Sequence, residues 1–357
     1  CSSNGSSWSN ISGATSESYT VHNITSKQYY RASVSGTPSS TAEVGINTST
    51  STPSNLGVSN VTYNTANLSW NASAGTGTIT YYWVVGTSAS VTYESGYVAH
   101  GNTTSTSALA NGLTASTNYY LRVYAQASCG NSNYQTSGIF TTVPMAPTAS
   151  AGTDLKANSF TANWQSSTGA TGYIIDLSTN SGFTSYQSYN VGNVTTKSFT
   201  DLNNNTNYYY RVRAYNNGGN GISTYSSSVN ITTLPLNNFL IEIASGGTIG
   251  EQMAGQPFNI KITARDATQS TVTDFNTTAT ISSNGNLTSS STSASFAKGI
   301  LNSQSVTLTL AGTGKTLTVS SGSVSTVSNS FTVIPASINH WVLTVDDEVV
   351  AGTSFTV

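Results

Sequence analysis

Charge is scarce in this chain, and so are long apolar runs. Charged residues make up 7% of the 357 positions, and the formal net charge is -2. Proteins that bind nucleic acids or anionic membrane surfaces use a basic field, which this composition does not provide. A transmembrane helix needs roughly 20 consecutive apolar residues, and no stretch approaches that length. We therefore expect no nucleic-acid partner and no transmembrane segment within these residues.

Cysteine and histidine are equally sparse, which argues against disulfide frameworks and against catalytic or metal centres. The two cysteines, Cys1 and Cys129, fall in different predicted modules, so no disulfide within one module is available. The three histidines, His22, His100 and His340, lie in separate modules and are predicted to be solvated loop residues. Because the sequence has no HExxH, CxxC or glycine-rich phosphate-loop motif, it predicts no enzyme, no cofactor and no metal site.

Two other charged features have simple structural interpretations. Asp346, Asp347 and Glu348 form the densest acidic run, but three adjacent carboxylates do not match a calcium loop, so we expect a solvated turn. Glu242 and Lys261 lie on the first two strands of one predicted module, where an exposed ion pair is favoured over a covalent isopeptide link. Neither feature predicts a binding site.

Serine, threonine, asparagine and glycine are abundant throughout the chain. These residues supply the solubility that charge does not, and such a composition is usual in extracellular β proteins displayed as long arrays. We therefore predict an extracellular or cell-surface location.

The most informative pattern is a phrase that occurs twice. Residues Thr117–Ala125 (TNYYLRVYA) return as Thr206–Ala214 (TNYYYRVRA), and each copy lies a little past a strand-like stretch with one tryptophan, Trp70 or Trp164. Side chains alternate within the phrase as they do in a strand with one buried face. The sequence thus predicts an all-β fold, built as an array of β-sandwich modules.

Regions 51–143 and 144–234 each contain one copy of the phrase and share further landmarks. The first landmark is a strand-B tryptophan, Trp70 or Trp164, and the second is an apolar strand C at 81–85 or 173–177. The third is a leucine six residues before the first tyrosine, Leu113 or Leu202. With them, both regions resemble fibronectin type III domains. The resemblance implies sandwiches of about seven strands with the two tryptophans in the core. It also implies that Tyr119 and Tyr208 are buried, with their hydroxyls bonded to nearby backbone.

The N-terminal residues 1–48 carry a weaker signal of the same class. Tyr29–Val34 is predicted to form one strand in which Tyr30, Ala32 and Val34 share a face, and the Tyr-x-Ala pattern resembles strand F of an Ig-like domain. Because the earlier strands of such a domain are missing, we predict the C-terminal half of a truncated Ig-like domain.

Residues 235–334 have fewer aromatics and long Ser/Thr-rich strands, and they resemble the bacterial Ig-like repeats of invasin-type surface proteins. Trp341–Val345 and Ala351–Val357 match the opening of that module, so residues 335–357 are predicted to start a further, truncated Ig-like repeat. The whole chain is then a beads-on-a-string array of Ig-like and fibronectin type III modules.

The candidate ligand or assembly surface lies on the first type III module. Tyr82 and Val84 on strand C and Tyr120, Arg122 and Tyr124 on strand F are predicted to project from one sheet. Such an aromatic face stacks on sugars or packs on a neighbouring subunit. The alternative is that tyrosine simply favours strands and tolerates water.

The second type III module offers a more cationic version of this face, with the same two interpretations. Its residues are Tyr209, Arg211, Arg213 and Tyr215.

Together these resemblances imply a non-catalytic stretch of a large secreted bacterial surface protein, acting as a stalk or adhesin. Its expected partners are surface or matrix components, with glycans or other copies of the chain as candidates. One alternative is a section of an extracellular filament joined through the tyrosine face or through strand edges. Another is the accessory region of a secreted polysaccharide hydrolase. Fold alone does not choose among these functions.

Overall fold

A computed structural model describes residues 6–12, 14–16, 18, 20–21, 27–44, 49–216 and 221–337 of the chain. Regular structure in these residues consists of β-strands and contains no helix, so the predicted all-β fold is confirmed. No helix in the described residues is therefore long and apolar enough to cross a membrane.

The first sandwich, residues 51–143, is built from two antiparallel sheets. Four short strands precede it in the chain: β1 (Gln28–Tyr30), β2 (Ser33–Val34), β3 (Thr37–Pro38) and β4 (Ala42–Val44). The strands of the sandwich itself are β5 (Ser54–Ser59), β6 (Thr65–Asn71), β7 (Thr80–Gly86), β8 (Ala99–Thr103), β9 (Ser107–Asn111), β10 (Asn118–Ala127), β11 (Gly130–Asn131), β12 (Gln135–Thr136) and β13 (Phe140–Thr141). One sheet has the order β5-β6-β9, and the other has the order β11-β10-β7-β8, with β12 and β13 also paired to β10.

The second sandwich, residues 144–234, repeats this arrangement. Its strands are β14 (Thr148–Thr153), β15 (Phe160–Gln165), β16 (Gly172–Ser178), β17 (Gln187–Gly192), β18 (Thr196–Phe199), β19 (Asn207–Tyr215) and β20 (Val229–Thr232). They form the sheets β14-β15-β18 and β17-β16-β19-β20. The phrase that occurs twice in the sequence corresponds to β10 and β19, which lie in the middle of their sheets.

The two sandwiches bury the same kinds of residue at matching places. Trp70 and Trp164 are each 4% exposed, and each packs against a buried strand-C tyrosine. The rings of Tyr119 and Tyr208 are buried, and their hydroxyls accept backbone N–H groups of the corner turns at 2.9 and 3.0 Å. Each core therefore rests on one tryptophan and on a tyrosine whose polar end is satisfied by the preceding turn.

The third module, residues 235–334, has three small sheets around a separate core. Its strands are β21 (Asn238–Ile243), β22 (Gln252–Met253), β23 (Pro257–Arg265), β24 (Thr280–Ser283), β25 (Ile300–Thr307), β26 (Gly312–Lys315), β27 (Leu317–Ser321), β28 (Val324–Val327) and β29 (Phe331–Ile334). The sheet orders are β21-β23-β25, β22-β29-β26 and β24-β27-β28, and β22 pairs with β29 in parallel. Its core is rich in isoleucine, valine and phenylalanine, as the thinning of tyrosine and tryptophan in this region indicates.

The N-terminal strands correct one prediction. The expected strand from Tyr29 to Val34 is interrupted, because β1 ends at Tyr30 and β2 begins at Ser33. Ser35 and Gly36 both have positive φ values, 49° and 82°, and turn the chain back so that β2 pairs with β3. Val34 is 75% exposed, and the prediction of one continuous strand face from Tyr30 to Val34 is wrong.

Serine hydroxyls complete the strand pairing in all of these regions. In each case a serine donates its backbone N–H to the carbonyl of a residue on the neighbouring strand and accepts that residue's N–H on its Oγ. The hydroxyl then donates to the carbonyl of the next residue, so that it replaces a ladder carbonyl that has turned away. The serines that do this are Ser39, Ser132, Ser137, Ser223, Ser226, Ser293 and Ser328.

Replacing Ser137 with Ala is expected to destabilise the first sandwich by about 1–3 kcal/mol, because the N–H of fully buried Leu121 loses its acceptor. Urea denaturation of the full chain measures the loss. Ser107→Ala is the matched control, since Ser107 is exposed on β9. Equal stability of the two variants would show that the hydroxyl does not replace a ladder carbonyl.

Candidate functional site

The predicted tyrosine face lies on one side of one sheet but is not open to solvent. Strands β7 and β10 place Val84 opposite Arg122, and Tyr82 opposite Tyr124, on the outer side of the sheet. Val84 is fully buried and Tyr124 is 9% exposed, whereas Tyr82, Tyr120 and Arg122 are half-buried. The five side chains therefore share one side of one sheet, but Val84 and Tyr124 are not accessible to a ligand.

The cover is supplied by the segment between β7 and β8, residues 87–98. Val91 of this segment is buried, and its carbonyl accepts a hydrogen bond from Arg122 Nη1 at 2.7 Å. Tyr93 packs edge-on against Tyr82 with 5.1 Å between ring centroids. An aliphatic and an aromatic side chain thus lie over the middle of the sheet, which strand alternation alone does not predict.

The tyrosines of this face pack against each other. The rings of Tyr82 and Tyr124 are stacked, with centroids 5.0 Å apart and planes 6° apart, and Tyr134 meets Tyr124 edge-on at 4.8 Å. Burial, assisted by neighbouring Tyr134 and Glu94, raises the pKa of Tyr124 to about 12. Tyr124 therefore keeps its proton in neutral solution, and the cluster uses its ring faces internally.

Arg122 is also engaged within the sandwich. Its Nε donates to Thr136 Oγ1 at 3.1 Å, and its guanidinium lies over the ring of Tyr134 at 4.3 Å. With the bond to Val91, these contacts occupy the group that a ligand was expected to meet. The arginine stabilises the cover of the sheet rather than presenting a free charge.

His100 lies on strand β8 instead of the predicted loop. It is exposed, as predicted, and its ring contacts Tyr97 and Tyr93 at centroid distances of 3.9 and 5.0 Å. The other two histidines, His22 and His340, lie outside the described residues. In the part of the chain that is described, no group of three or more His, Cys, Asp or Glu side chains is placed to hold a metal ion.

The second sandwich has an arginine at the same position, Arg211, but this arginine is paired with a carboxylate instead of a backbone carbonyl. Arg211 Nε lies 3.2 Å from Oδ2 of Asp176, whose side chain is completely buried. The guanidinium also lies 3.7 Å from the ring centroid of Tyr225 and 4.2 Å from that of Phe183. Asp176 occupies the place that Val84 has in the first sandwich, since each is directly opposite its strand-F arginine.

Sequence reasoning did not single out Asp176. The available signal was a lone acid in an apolar strand, Tyr173-Ile174-Ile175-Asp176-Leu177. The predicted cationic face is completed by Tyr209, Arg213 and Tyr215, all of which are half-buried. Tyr215 donates its hydroxyl to Asn190 Oδ1 at 3.1 Å, and the Arg213 guanidinium lies 5.0 Å from the Tyr225 ring.

The remaining predictions concern the Glu242–Lys261 pair, the two cysteines and the acidic run. Glu242 and Lys261 are directly opposite each other on β21 and β23, but Glu242 Oε1 accepts the N–H of Gly247 at 3.1 Å, and the ion pairs in the described residues lie elsewhere. The predicted pair is therefore not formed. Cys129 is a half-buried free thiol. The acidic run at 346–348 and residue Cys1 lie outside the described residues.

The joint between the first and second sandwiches is a set of direct hydrogen bonds. Ser116 Oγ donates to the carbonyl of Gly169 at 2.7 Å, and Asn216 Nδ2 donates to the same Ser116 Oγ at 2.8 Å. Gly169 has φ of +79°, and a Cβ on it would lie 2.4 Å from the Ser116 oxygen. Only glycine permits this close approach.

The joint between the second sandwich and the third module is more extensive and partly buried. Asp266, which is fully buried, accepts the N–H of Ala157 on Oδ2 at 2.8 Å. Asp274 Oδ1 accepts Asn158 Nδ2 at 2.9 Å, and its Oδ2 accepts both the N–H and Nδ2 of Asn204 at 2.8 Å. Asn158 Oδ1 in turn accepts the N–H of Thr273 at 2.7 Å.

Both carboxylates of this second joint are held in the ionised form. Burial opposes ionisation of Asp266 and Asp274, but the hydrogen bonds that they accept outweigh burial and lower the pKa of each. Ala157 belongs to the second sandwich and yet packs within the core of the third module. The two modules are therefore joined by apolar contact as well as by charge-assisted hydrogen bonds.

These observations define residues 51–334 as three β modules with bonded joints, of which the first two are antiparallel sandwiches. The fibronectin type III family model matches residues 51–142 and 145–232, so the chain belongs to the fibronectin type III family, as the tandem resemblance predicted. Residues 1–50 match a model described as a domain of unknown function, DUF8696.

Two bacterial enzymes contain similar stretches. The chain is 30% identical over 202 residues to chitinase A1 of Niallia circulans and 32% identical over 201 residues to exoglucanase B of Cellulomonas fimi. Each alignment covers 52% of this chain, but only 26% of the chitinase and 17% of the exoglucanase. The similarity thus concerns a minor part of each enzyme.

Two solved structures are also similar. A two-domain fibronectin type III segment of chicken tenascin is 22% identical, with a TM-score of 0.33, and the match covers 51% of this chain and 99% of that one. The FN1–FN3 domains of chicken CNTN1 are 16% identical, with a TM-score of 0.31, over 58% of this chain and 77% of that one. These scores are too low to carry an argument about arrangement or function.

Proposed function

We propose that this region is a non-catalytic structural spacer of a secreted bacterial protein, which holds neighbouring domains at a fixed separation. The observation that carries the proposal is the joint between the second sandwich and the third module. A freely jointed string of domains needs only a linker, whereas this joint orders Asn158, Asn204, Asp266 and Asp274 against each other. Ordered joints limit bending between modules.

The parent protein of such a spacer is of one of two kinds. The first is a cell-surface stalk or adhesin, in which the modules provide reach. The second is a secreted polysaccharide-cleaving enzyme, and it is favoured by the similarity to parts of a chitinase and an exoglucanase. The spacer role is common to both.

Assembly of the chain into a filament through the tyrosine face has less support. Val84 and Tyr124 are buried, and Arg122 is bonded within its own sandwich, so little of that face is free for a second copy.

The spacer proposal predicts slow amide exchange at the second joint. The N–H groups of Ala157, Asn204 and Thr273 are bonded across the two modules, so they exchange slowly only while the joint is closed. In Asp274→Asn an amide NH2 must face one of the donors that the carboxylate accepted, and we expect the joint to weaken by about 2–3 kcal/mol. Exchange at these three sites then accelerates roughly 30- to 160-fold, as hydrogen–deuterium exchange of the full chain would show.

Asp154→Asn is the matched control, because Asp154 is exposed on the second sandwich and its carboxylate accepts a hydrogen bond from neighbouring Thr153 rather than from the third module. The pH dependence has a definite sign. The pKa values of Asp266 and Asp274 are lowered by folding, so their stabilisation is complete above the unfolded value of about 4 and is lost as pH falls through the folded values. Rapid exchange at the joint amides in the unmodified chain at pH 7 would rule out a fixed joint and with it the spacer proposal.

A further inference from the structure

The second sandwich contains a cleft at the open edge between its two sheets. The cleft has a volume of about 370 Å³, and its walls come from β16 and β17 of one sheet, from β18 of the other and from the turns beside them. Small-molecule sites in proteins typically begin at roughly 300 Å³. The space is therefore adequate for a small ligand.

The walls of the cleft combine aromatic rings with hydrogen-bonding groups. Tyr186 is 46% exposed and Tyr189 is half-buried, while Phe199 and Tyr208 form the buried floor. Serine, threonine and glutamine side chains surround them, and Asp201 is the one charged residue in the lining. The Asp201 carboxylate accepts a hydrogen bond from Thr200 at 3.2 Å and is otherwise exposed.

In the first sandwich, the Trp83 side chain occupies the place that corresponds to Tyr189 in this cleft. By strand register, Tyr189 opposite Ile175 corresponds to Gly101 opposite Trp83. A Cβ on Gly101 would lie 2.8 Å from the Trp83 ring, so the indole occupies the position over that glycine. The smaller Ile175 leaves the ring of Tyr189 beside a cleft instead.

The position of Asp201 is also particular to the second sandwich. Asp201 and Gly112 each precede the corner leucine of their sandwich, and both have positive φ, 57° and 75°. Glycine adopts this conformation without cost, whereas a side chain there is strained. The second sandwich thus places a carboxylate at the cleft where the sister module has no side chain.

We propose that this cleft binds a short, uncharged oligosaccharide. Sugar rings present C–H faces that pack on tyrosine, and their hydroxyls donate to carboxylate and amide oxygens. Gln187 Oε1 accepts the Tyr189 hydroxyl and Asp201 accepts that of Thr200, and each oxygen group keeps a further lone pair for a sugar hydroxyl. Asp201 supplies the charge of the lining itself and disfavours phosphates and acidic sugars. The cations of Lys197 and Arg211 lie 5.6 Å from the Tyr189 ring and 5.3 Å from the Tyr186 ring, so those two rings already engage them. The proposal goes beyond the spacer role, since a spacer needs no ligand.

The test is titration of the full chain with cellohexaose, chitohexaose, maltohexaose and mannohexaose, followed by calorimetry and by amide shifts in nuclear magnetic resonance spectra. We expect at least one of these sugars to bind at millimolar concentration or below and to shift the amides of Gln187 and Asp201. Tyr186→Ala should weaken binding about tenfold, because one ring face is lost. Tyr186→Ala also removes a ring that lies 5.3 Å from the Arg211 guanidinium. Asp201→Asn keeps the turn conformation and that contact, and it should weaken binding as well.

Tyr97→Ala is the control for a general effect of removing an exposed tyrosine, since Tyr97 is 41% exposed on the first sandwich. It should bind as the unmodified chain does. Failure of all four sugars to bind at several millimolar, or unchanged affinity in both cleft variants, would overturn the proposal. Shifts confined to the first sandwich, or binding of oligogalacturonate alone, would overturn it as well. None of these results bears on amide exchange at the joint, so the spacer proposal is judged separately.

Discussion

Arg211→Met is expected to lower the free energy of unfolding of the second sandwich by about 3–5 kcal/mol. The reason is the location of its partner, because the Asp176 side chain is completely buried while that of Arg211 is 22% exposed. Methionine retains the apolar stem that packs near Phe183 and Tyr225 but removes the charge. The buried carboxylate then keeps the Ser188 hydroxyl as a donor but has no cation.

The double variant Asp176→Val with Arg211→Met is the matched control. It gives position 176 the residue that the first sandwich has at Val84, and removing both charges together should cost much less than removing Arg211 alone. Urea denaturation of both variants at pH 7 measures this, and equal stability of Arg211→Met and the unmodified chain would contradict the argument.

The fold of the two sandwiches follows from patterns within short stretches of sequence. Alternation in the phrase at Thr117–Ala125 gives the buried and outer faces of β10, and its copy gives those of β19. Strand periodicity depends only on neighbouring residues, so one sequence suffices to detect it.

The sites depend on contacts between distant segments, which a single sequence does not reveal. Val84 belongs to the outer face by periodicity, but the segment that covers it is a loop whose path is set by Val91 and Tyr93. The joint is a stronger case, since Ala157 and Asp266 are 109 residues apart and neither lies in a motif. Asp176 becomes meaningful only when strand pairing places it opposite Arg211.

Trp164→Ala is expected to cost the second sandwich about 3–5 kcal/mol, a large share of the stability of one module. Trp164 is 4% exposed and packs against Tyr173, so truncation leaves a cavity between the sheets. Because Ala157 of the second sandwich lies in the core of the third module, unfolding of the second should also expose the joint and destabilise the third. Amide exchange of buried Ile260 reports on the third module, and that of buried Leu121 reports on the first, which we expect to change less. Trp164→Phe keeps most of the ring volume and should lose much less stability, whereas an unchanged third module in Trp164→Ala would show that the joint does not couple the two.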